Sequence, residues 1–247
     1  MKYVVCFLST VAFALSVSAT TPGGLQKKFV ALTFDVAFNA PSNVCAHAEE
    51  LNKLPWLDGV AVSLLKVPVK TVDGKGDVSD TTRLMRLNDI WTRDAVKTQI
   101  PYLRGIVKYP RLKESFLLAW ISPSGKHNRI AWTDDAGWAR FGDNLAVLAW
   151  AAKEAGLKGL MLDPEEYSGA LQYLYTKADG AVSFSECREL ARRRGREVFS
   201  KAFKEFPEGI YFYEPVLWAL EQNITKGTDE THFSPDVVCN RATVVTF

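Results

Sequence analysis

Residues 159–167 read Gly-Leu-Met-Leu-Asp-Pro-Glu-Glu-Tyr, an apolar run that ends in acids. Successive side chains of a strand face opposite sides. With Leu160 and Leu162 turned outward, Met161, Asp163 and Glu165 share the inward face. Two carboxylates so spaced lie within reach of one substrate group. Like charges that close push one pKa upward, which is what a general acid needs beside an ionised partner. Pro164 lacks an N–H and suits only a strand's end, so the pair belongs at its tip. The competing role is structural, an acidic turn in which Asp163 or Glu165 caps the next helix.

Comparable residues follow other apolar runs: Asp35 with Asn39, then Asp134 and Asp135, then Glu214. Trp120, Trp132 and Trp218 fall at or just beyond strand tips, where a flat ring with one polar edge suits stacking on a sugar. Trp138 and Trp150 have helical spacing and are expected in the core. Other chemistries are poorly represented. His47, His127 and His232 are scattered, unlike the clustered imidazoles of a hydrolytic zinc site, although His127 lies in a loop that could overhang the third strand's tip. There is no Gly-x-Ser-x-Gly elbow, no Gly-x-Gly-x-x-Gly and no Gly-x-x-x-x-Gly-Lys, so an acyl-transfer serine, a dinucleotide and a P-loop nucleotide are not expected. No metal or cofactor is required, although so many acids leave open an oxygen-ligated Ca²⁺ or Mg²⁺.

These side chains are carried by strands and helices in alternation. Residues 29–34 form an apolar, β-favouring run that ends in Asp35. Ser42 or Asn43 then caps a helix that turns Val44, Ala48, Leu51 and Leu54 to the core. Residues 57–65 (LDGVAVSLL) are continuous and Val-rich, as strands buried on both faces are. The polar stretch 66–83 reads as a surface excursion. Residues 88–108 are helical in tone, with a break or kink at Pro101. Residues 116–121 (FLLAWI) are the third strand.

Asp134 and Asp135 stand at an N-cap, and Trp138, Phe141, Leu145, Leu148, Ala149 and Ala152 repeat at helical spacing up to Gly156, a C-terminal cap residue. Residues 157–163 are the fourth strand. Ser183-Phe184-Ser185-Glu186 has the spacing of a capping box and starts a helix to about Phe206, with the apolar stripe Ala191, Val198, Phe199, Ala202, Phe203 and Phe206. Glu189, Glu197 and Glu205 interleave its arginines, so 192–196 reads as a solvated face. Residues 209–213 (GIYFY) make a fifth strand that ends at Glu214.

Alternating elements with acids at the strand tips predict an α/β fold of TIM-barrel, (β/α), type, since in that architecture active residues come from the C-terminal ends of several strands. About five βα units are legible where a closed barrel has eight. The domain is therefore expected to be an incomplete barrel, truncated toward the C-terminus or departing from the closed form.

The run GLKGLMLDPEEY, with the Arg-rich helix and the strand GIYFYEP after it, resembles secreted TIM-barrel proteins related to glycoside hydrolases, in which an Asp-x-Glu at the tip of the fourth strand carries the catalytic acid. It is similar to the end of the chitinase-type motif. Pro164 replaces the aromatic between its final Asp and Glu, and Gly159 and Met161 stand where its upstream aspartates would be. The resemblance covers roughly residues 29–220 and maps onto Asp163 and Glu165. It implies hydrolysis of a glycosidic bond with Glu165 as general acid/base and Asp163 as its electrostatic partner. Glu214 or Asp135 would be the second carboxylate, acting as nucleophile or as base for water. Asp35, Asn39, Trp120, Trp132, Tyr167 and Trp218 are the expected sugar contacts. A non-catalytic sugar-binding or scaffolding protein on a degenerate barrel is the alternative.

The 247-residue chain is 47% apolar and 23% charged, with 30 Lys and Arg against 28 Asp and Glu. Those proportions exclude disorder and collagen-like repeats, and a net charge of +2 supplies no field for a phosphate backbone, so no nucleic-acid partner is expected. Residues 1–19 have the form of a secretory signal. Lys2 precedes a run from Tyr3 to Val17 that is apolar, uncharged and too short to span a bilayer, and Val17-Ser18-Ala19 fits cleavage after Ala19. The expected mature domain is 20–247, secreted or periplasmic, and not membrane-bound. Cys6 goes with the signal. Cys45, Cys187 and Cys239 allow at most one internal bridge and leave one thiol over. Asn223-Ile224-Thr225 is a glycosylation sequon.

Overall fold

The computed structural model describes residues 28–32, 38–79, 88–123, 129–164, 172, 173, 175 and 183–206. Along the chain these form β1 (Val30–Ala31), α1 (Pro41–Ala46), α2 (Ala48–Asn52), β2 (Gly59–Val62), β3 (Val67–Thr71), β4 (Asp77–Ser79), β5 (Asp89–Ile90), α3 (Arg93–Lys97), α4 (Ile100–Val107), a 3₁₀ turn (Pro110–Leu112), β6 (Phe116–Trp120), α5 (Asp135–Ala155), β7 (Gly159–Asp163) and α6 (Phe184–Glu205). The fold is mixed α/β. Four strands make one parallel sheet in the order β1-β2-β6-β7, and a second sheet, β4-β3-β5, is antiparallel. The four parallel strands fall on the predicted runs 29–34, 57–65, 116–121 and 157–163. Among the described residues the parallel sheet does not close into a barrel; the fifth expected strand, 209–213, lies outside them.

Sheet order and burial follow from the same apolar runs. Val60, Val62, Leu117 and Ala119 belong to one core with Leu103 and Ile106 of α4 and Leu145, Leu148 and Ala152 of α5. Leu160 and Leu162 pack against that core from β7. Side chains alternate, so Ala61, Phe116, Leu118, Trp120, Met161 and Asp163 project from the other face. Ala61, Phe116 and Leu118 are nonetheless buried, which makes β2 and β6 covered on both sides and accounts for their unbroken hydrophobicity.

Residues 66–79, the described part of the stretch 66–83, depart from the expected surface excursion. Val67 and Val69 alternate with Pro68 and Lys70, a period of two, and both valines are buried as β3 pairs with β4 and β5. The turn after β3 is held by side chains. Thr71 Oγ1 donates to Asp73 Oδ1 at 2.6 Å and accepts from the Gly76 N–H at 2.8 Å. Charge and glycine density concealed a short sheet, in which Lys70, Asp77 and the turn residues face solvent while Ser79 is buried.

This small sheet docks on α5 through Asn144, which is buried in the helix's middle. Its Oδ1 accepts from the Trp91 N–H and its Nδ2 donates to the Asp89 carbonyl, both at 2.9 Å. Asn144→Leu would strand a main-chain donor and an acceptor, each worth about 1–3 kcal/mol when buried without a partner. We expect a loss of roughly 3 kcal/mol, measured by urea unfolding; a loss below about 1 kcal/mol would mean that β5 does not depend on this contact.

The helix boundaries follow their predicted caps, with one exception. Asp134 Oδ1 accepts from the Gly137 N–H at 2.9 Å, and Gly156 ends α5 in the left-handed region at φ +74°. Ser183 and Glu186 complete the capping box of α6. Pro101 opens α4. The exception is the first helix: it begins at Pro41 rather than being capped by Ser42 or Asn43, and His47 divides it into α1 and α2. Gly142 lets α6 approach α5, since a Cβ there would lie 3.3 Å from Val198 Cα.

The arginine segment on α6 is also not wholly a solvated face. Arg194 is 2% exposed and occupies the buried stripe with Cys187, Val198 and Ala202, while Phe203 is exposed. Cys45 is a free, half-buried thiol and is not bridged to Cys187; Cys239 lies outside the described residues. Alkylation of the unfolded, unreduced protein should therefore modify Cys45, and recovery of Cys45 only in a disulfide-linked peptide would contradict this.

Candidate functional site

Of the predicted site residues that the structure describes, Trp120 and Asp163 meet at the C-terminal edge of the parallel sheet. β6 and β7 run in register with Trp120 opposite Asp163, and the Ile121 N–H donates to the Asp163 carbonyl at 2.8 Å. Neighbouring strands are about 4.8 Å apart and paired residues face the same way, so the indole and the carboxylate stand side by side on the face away from the helices. Both are half-buried. One step deeper, Leu118 pairs with Met161.

On β2 the register places Ser63 level with Leu118. Its N–H donates to the Asn39 carbonyl at 3.2 Å, whereas its Oγ, although the residue is 1% exposed, makes no hydrogen bond among the described residues. Asn39 and Ser122, which follow β1 and β6, are buried too. The ends of β2, β6 and β7 thus carry Ser63, Trp120 with Ser122, and Asp163, and Asn39 lies beside Ser63.

The chain segments after β6 and β7 are bolted together. Gln172 is fully buried, and its amide copies a strand's pairing: Oε1 accepts from the Ile130 N–H at 2.8 Å and Nε2 donates to the Ile130 carbonyl at 2.9 Å. Tyr173 Oη donates to the Ile121 carbonyl. From the other side Arg194 Nε reaches the Trp132 carbonyl at 3.0 Å, and Trp138 Nε1 reaches the Ala131 carbonyl at 2.9 Å. Ile121 and residues 130–132, between β6 and α5, are therefore held by three separate elements.

Two expected site residues are engaged elsewhere. Trp132 is buried and stacks on Trp138, with ring centroids 4.9 Å apart and an interplanar angle of 15°, so it packs in the core instead of offering a free face to a sugar. Asp135 sits in the first turn of α5 and pairs with Arg194 and Arg193 across the α5–α6 interface. The hydrogen bond and charge of Arg194 hold its carboxyl below the usual aspartate value, and Arg194 is itself held charged by Asp135 and Glu197 against its burial. Glu165, Tyr167, Glu214, Trp218, Asp35, His127 and His232 lie outside the described residues. His47 lies on the surface, its Nδ1 2.9 Å from the Asn43 carbonyl. Among the described residues no three potential ligands cluster to hold a metal, and no helix is long and apolar enough to cross a membrane.

The Asp135 pair has a consequence for pH. A carboxyl whose folded pKa is depressed stabilises the fold above its unfolded pKa and loses that contribution as pH falls through the folded value. Asp135 and Asp73 are lowered from 3.8, and Glu186 in the capping box from 4.5. Stability should be level near neutrality and decline below about pH 4.5. The decline should be shallower in Asp135→Asn, which removes one of the three groups. Denaturant midpoints between pH 7 and pH 3 test this, and parallel curves for the two proteins would refute the assignment.

No family model, no characterised protein and no solved structure matches this chain.

Proposed function

We propose that this chain is an exported carbohydrate-active protein of (β/α)-barrel type that hydrolyses a glycosidic bond at the C-terminal edge of its parallel sheet. The pairing of Trp120 with Asp163 carries the proposal. An aromatic plane stacks on the apolar face of a pyranose while a neighbouring carboxylate accepts from its hydroxyls. Glu165, two residues beyond Asp163, is the general acid/base, and Asp163 tunes its proton affinity. With Asp135 committed to Arg194, the carboxylate facing Glu165 from another strand is assigned to Glu214. Two features support the barrel. The four parallel strands lie in sequential order with α4 and α5 packed on one face of them, as right-handed crossovers require, and the opposite face of β2 and β6 is apolar and buried, as the interior of a closed sheet is. Residues 1–19 support export.

Release of reducing ends from a panel of α- and β-linked oligosaccharides and polysaccharides tests the proposal, with Glu165→Gln as control. Turnover by the wild type that the substitution removes supports it. Binding without turnover, seen as a change in tryptophan fluorescence that Trp120→Ala abolishes, would replace hydrolysis by sugar binding. No turnover and no binding across the panel would overturn both.

A further inference from the structure

We infer that the Ser63 hydroxyl recognises the hydroxymethyl arm of a hexopyranose, on the flank of Trp120 opposite Asp163. This rests on the function proposed above and names the sugar class of that site. Ser63 stands where the parallel sheet forks. β6 and β7 stay paired as far as Trp120 and Asp163, whereas the pairing of β2 with β6 ends at Val62 and Leu117. Lys66, at φ +51°, then turns the chain out of this sheet, and Val67 starts β3 in the other one. Ser63 is the base of that fork. It lies on the same strand face as Ala61, which is the face that carries Trp120 and Asp163.

The hydroxyl is the feature that asks for a ligand. Ser63 is almost fully buried, and its Oγ has no hydrogen-bond partner among the described residues. Burying an unpaired hydroxyl costs stability, and an apolar side chain would suit the run LDGVAVSLL better; departures of that kind belong to functional positions. Ser115 gives the contrast. It is buried as well, but its hydroxyl accepts from the Val60 N–H and donates to the Leu112 carbonyl, so the fold itself uses it. A sugar ring lying on Trp120 has β7 on one side and β2 on the other, each about 4.8 Å away. Asp163 is level with the indole and takes ring hydroxyls, while Ser63 is two residues lower, about 6.6 Å deeper along its strand. The substituent that reaches down the fork is the hydroxymethyl arm, whose oxygen is one carbon beyond the ring; a pentopyranose has none. No ladder pairing of β2 with β6 above Val62 has to break to admit it. In a place so shielded from water, a group left without its partner is strongly rejected.

Ser63→Ala tests the inference on aryl glycosides, of both anomers, that differ only in the arm: glucoside against xyloside, and galactoside against arabinopyranoside. The wild type should prefer the hexoside of a pair. The substitution should lower kcat/KM on that hexoside by about 5–100-fold and leave the pentoside within twofold. The urea midpoint should stay level or rise, because an unpaired hydroxyl is removed and little volume is lost. An unchanged hexoside rate, equal losses on the two sugars, a wild type that prefers the pentoside, or a fall in the midpoint would overturn the inference. If the wild type turns over no glycoside, hydrolysis fails as the function, and equilibrium binding decides Ser63 separately. Fluorescence titration with the methyl glycosides of the same pairs should then show hexoside affinity weakened by about 5–100-fold in Ser63→Ala and pentoside affinity kept. Affinities that shift alike or not at all, or a wild type that binds neither sugar, overturn it.

Discussion

Glu165→Gln should lower glycan hydrolysis by about 10²–10⁴-fold, the range that a positioned general acid contributes, and leave sugar binding in place. The amide has the shape of the carboxylic acid and can still donate a hydrogen bond, but it cannot release a proton to the departing glycosidic oxygen. Asp163→Asn should do less. Its role is to raise the proton affinity of Glu165 by like charge, so its removal should shift the alkaline limb of the wild-type pH profile, where the general acid loses its proton, to lower pH rather than abolish turnover. Glu214→Gln distinguishes the chemistry. If Glu214 is a nucleophile, its loss removes a covalent intermediate, and an added small anion such as azide restores turnover with inverted anomeric configuration. If it is a base for water, the wild type already inverts, and a separation of about 6.5–9.5 Å from Glu165 is required, against about 5–5.5 Å for retention. Undiminished turnover by Glu165→Gln would remove Glu165 from the role assigned to it.

The elements that sequence patterning located are those whose cause is local. α5 announces itself at both ends, through Asp134 and Gly156, and along its length by apolar spacing; α6 does so through Ser183 and Glu186. β2 and β6 are legible because burial on both faces leaves no room for polar residues. What escaped depends on partners distant in sequence. β3 is a strand by the alternation of Val67 and Val69, but its neighbours Asp73, Gly74 and Gly76 set the tone of the region and hid it. Arg194 looks like its exposed neighbours Arg192 and Arg193 until α5 is packed beside it, when Asp135 and the Trp132 carbonyl make burial of a cation tolerable.

The candidate site divides in the same way. Trp120 and Asp163 were suggested separately by their places at strand ends, and pairing of β6 with β7 brings them together. Trp132 had the same sequence credentials and went to the core, because nothing in its position shows that Trp138 will stack on it. Ser63 carried a signal that was available, one hydroxyl inside the apolar run LDGVAVSLL. Gln172 carried none. Its partners are the main-chain groups of a residue 42 positions away, and main-chain atoms leave no trace in a sequence.

Gly59→Ala should be the most damaging substitution to stability, because it strikes the register on which the proposed site depends. A Cβ at Gly59 would lie 2.0 Å from the Glu114 carbonyl oxygen, 2.2 Å from its carbon and 2.8 Å from the Ser115 nitrogen, all of them main-chain atoms that cannot rotate away. Nor can the strands separate. The Asp58 and Gly59 N–H groups both donate to the Phe29 carbonyl, the Glu114 N–H donates to the Asp58 carbonyl, and the Val60 N–H donates to Ser115 Oγ, which itself donates to the Leu112 carbonyl. To admit one methyl group, β2 must move off β6 and break several of these bonds in a buried place. The expected loss is at least about 4 kcal/mol, beyond the usual range for overpacking, or failure to fold. Gly195→Ala is the matched control: nothing lies within 4 Å of a Cβ at that point of α6, so the gain in helix propensity should stabilise the protein by about 0.5–1 kcal/mol. Urea unfolding of both variants separates steric exclusion from loss of glycine as such. A Gly59→Ala protein within about 1 kcal/mol of wild type would show that β2 does not approach Glu114 this closely, and the level assigned to Ser63 beside Leu118 would fall with it.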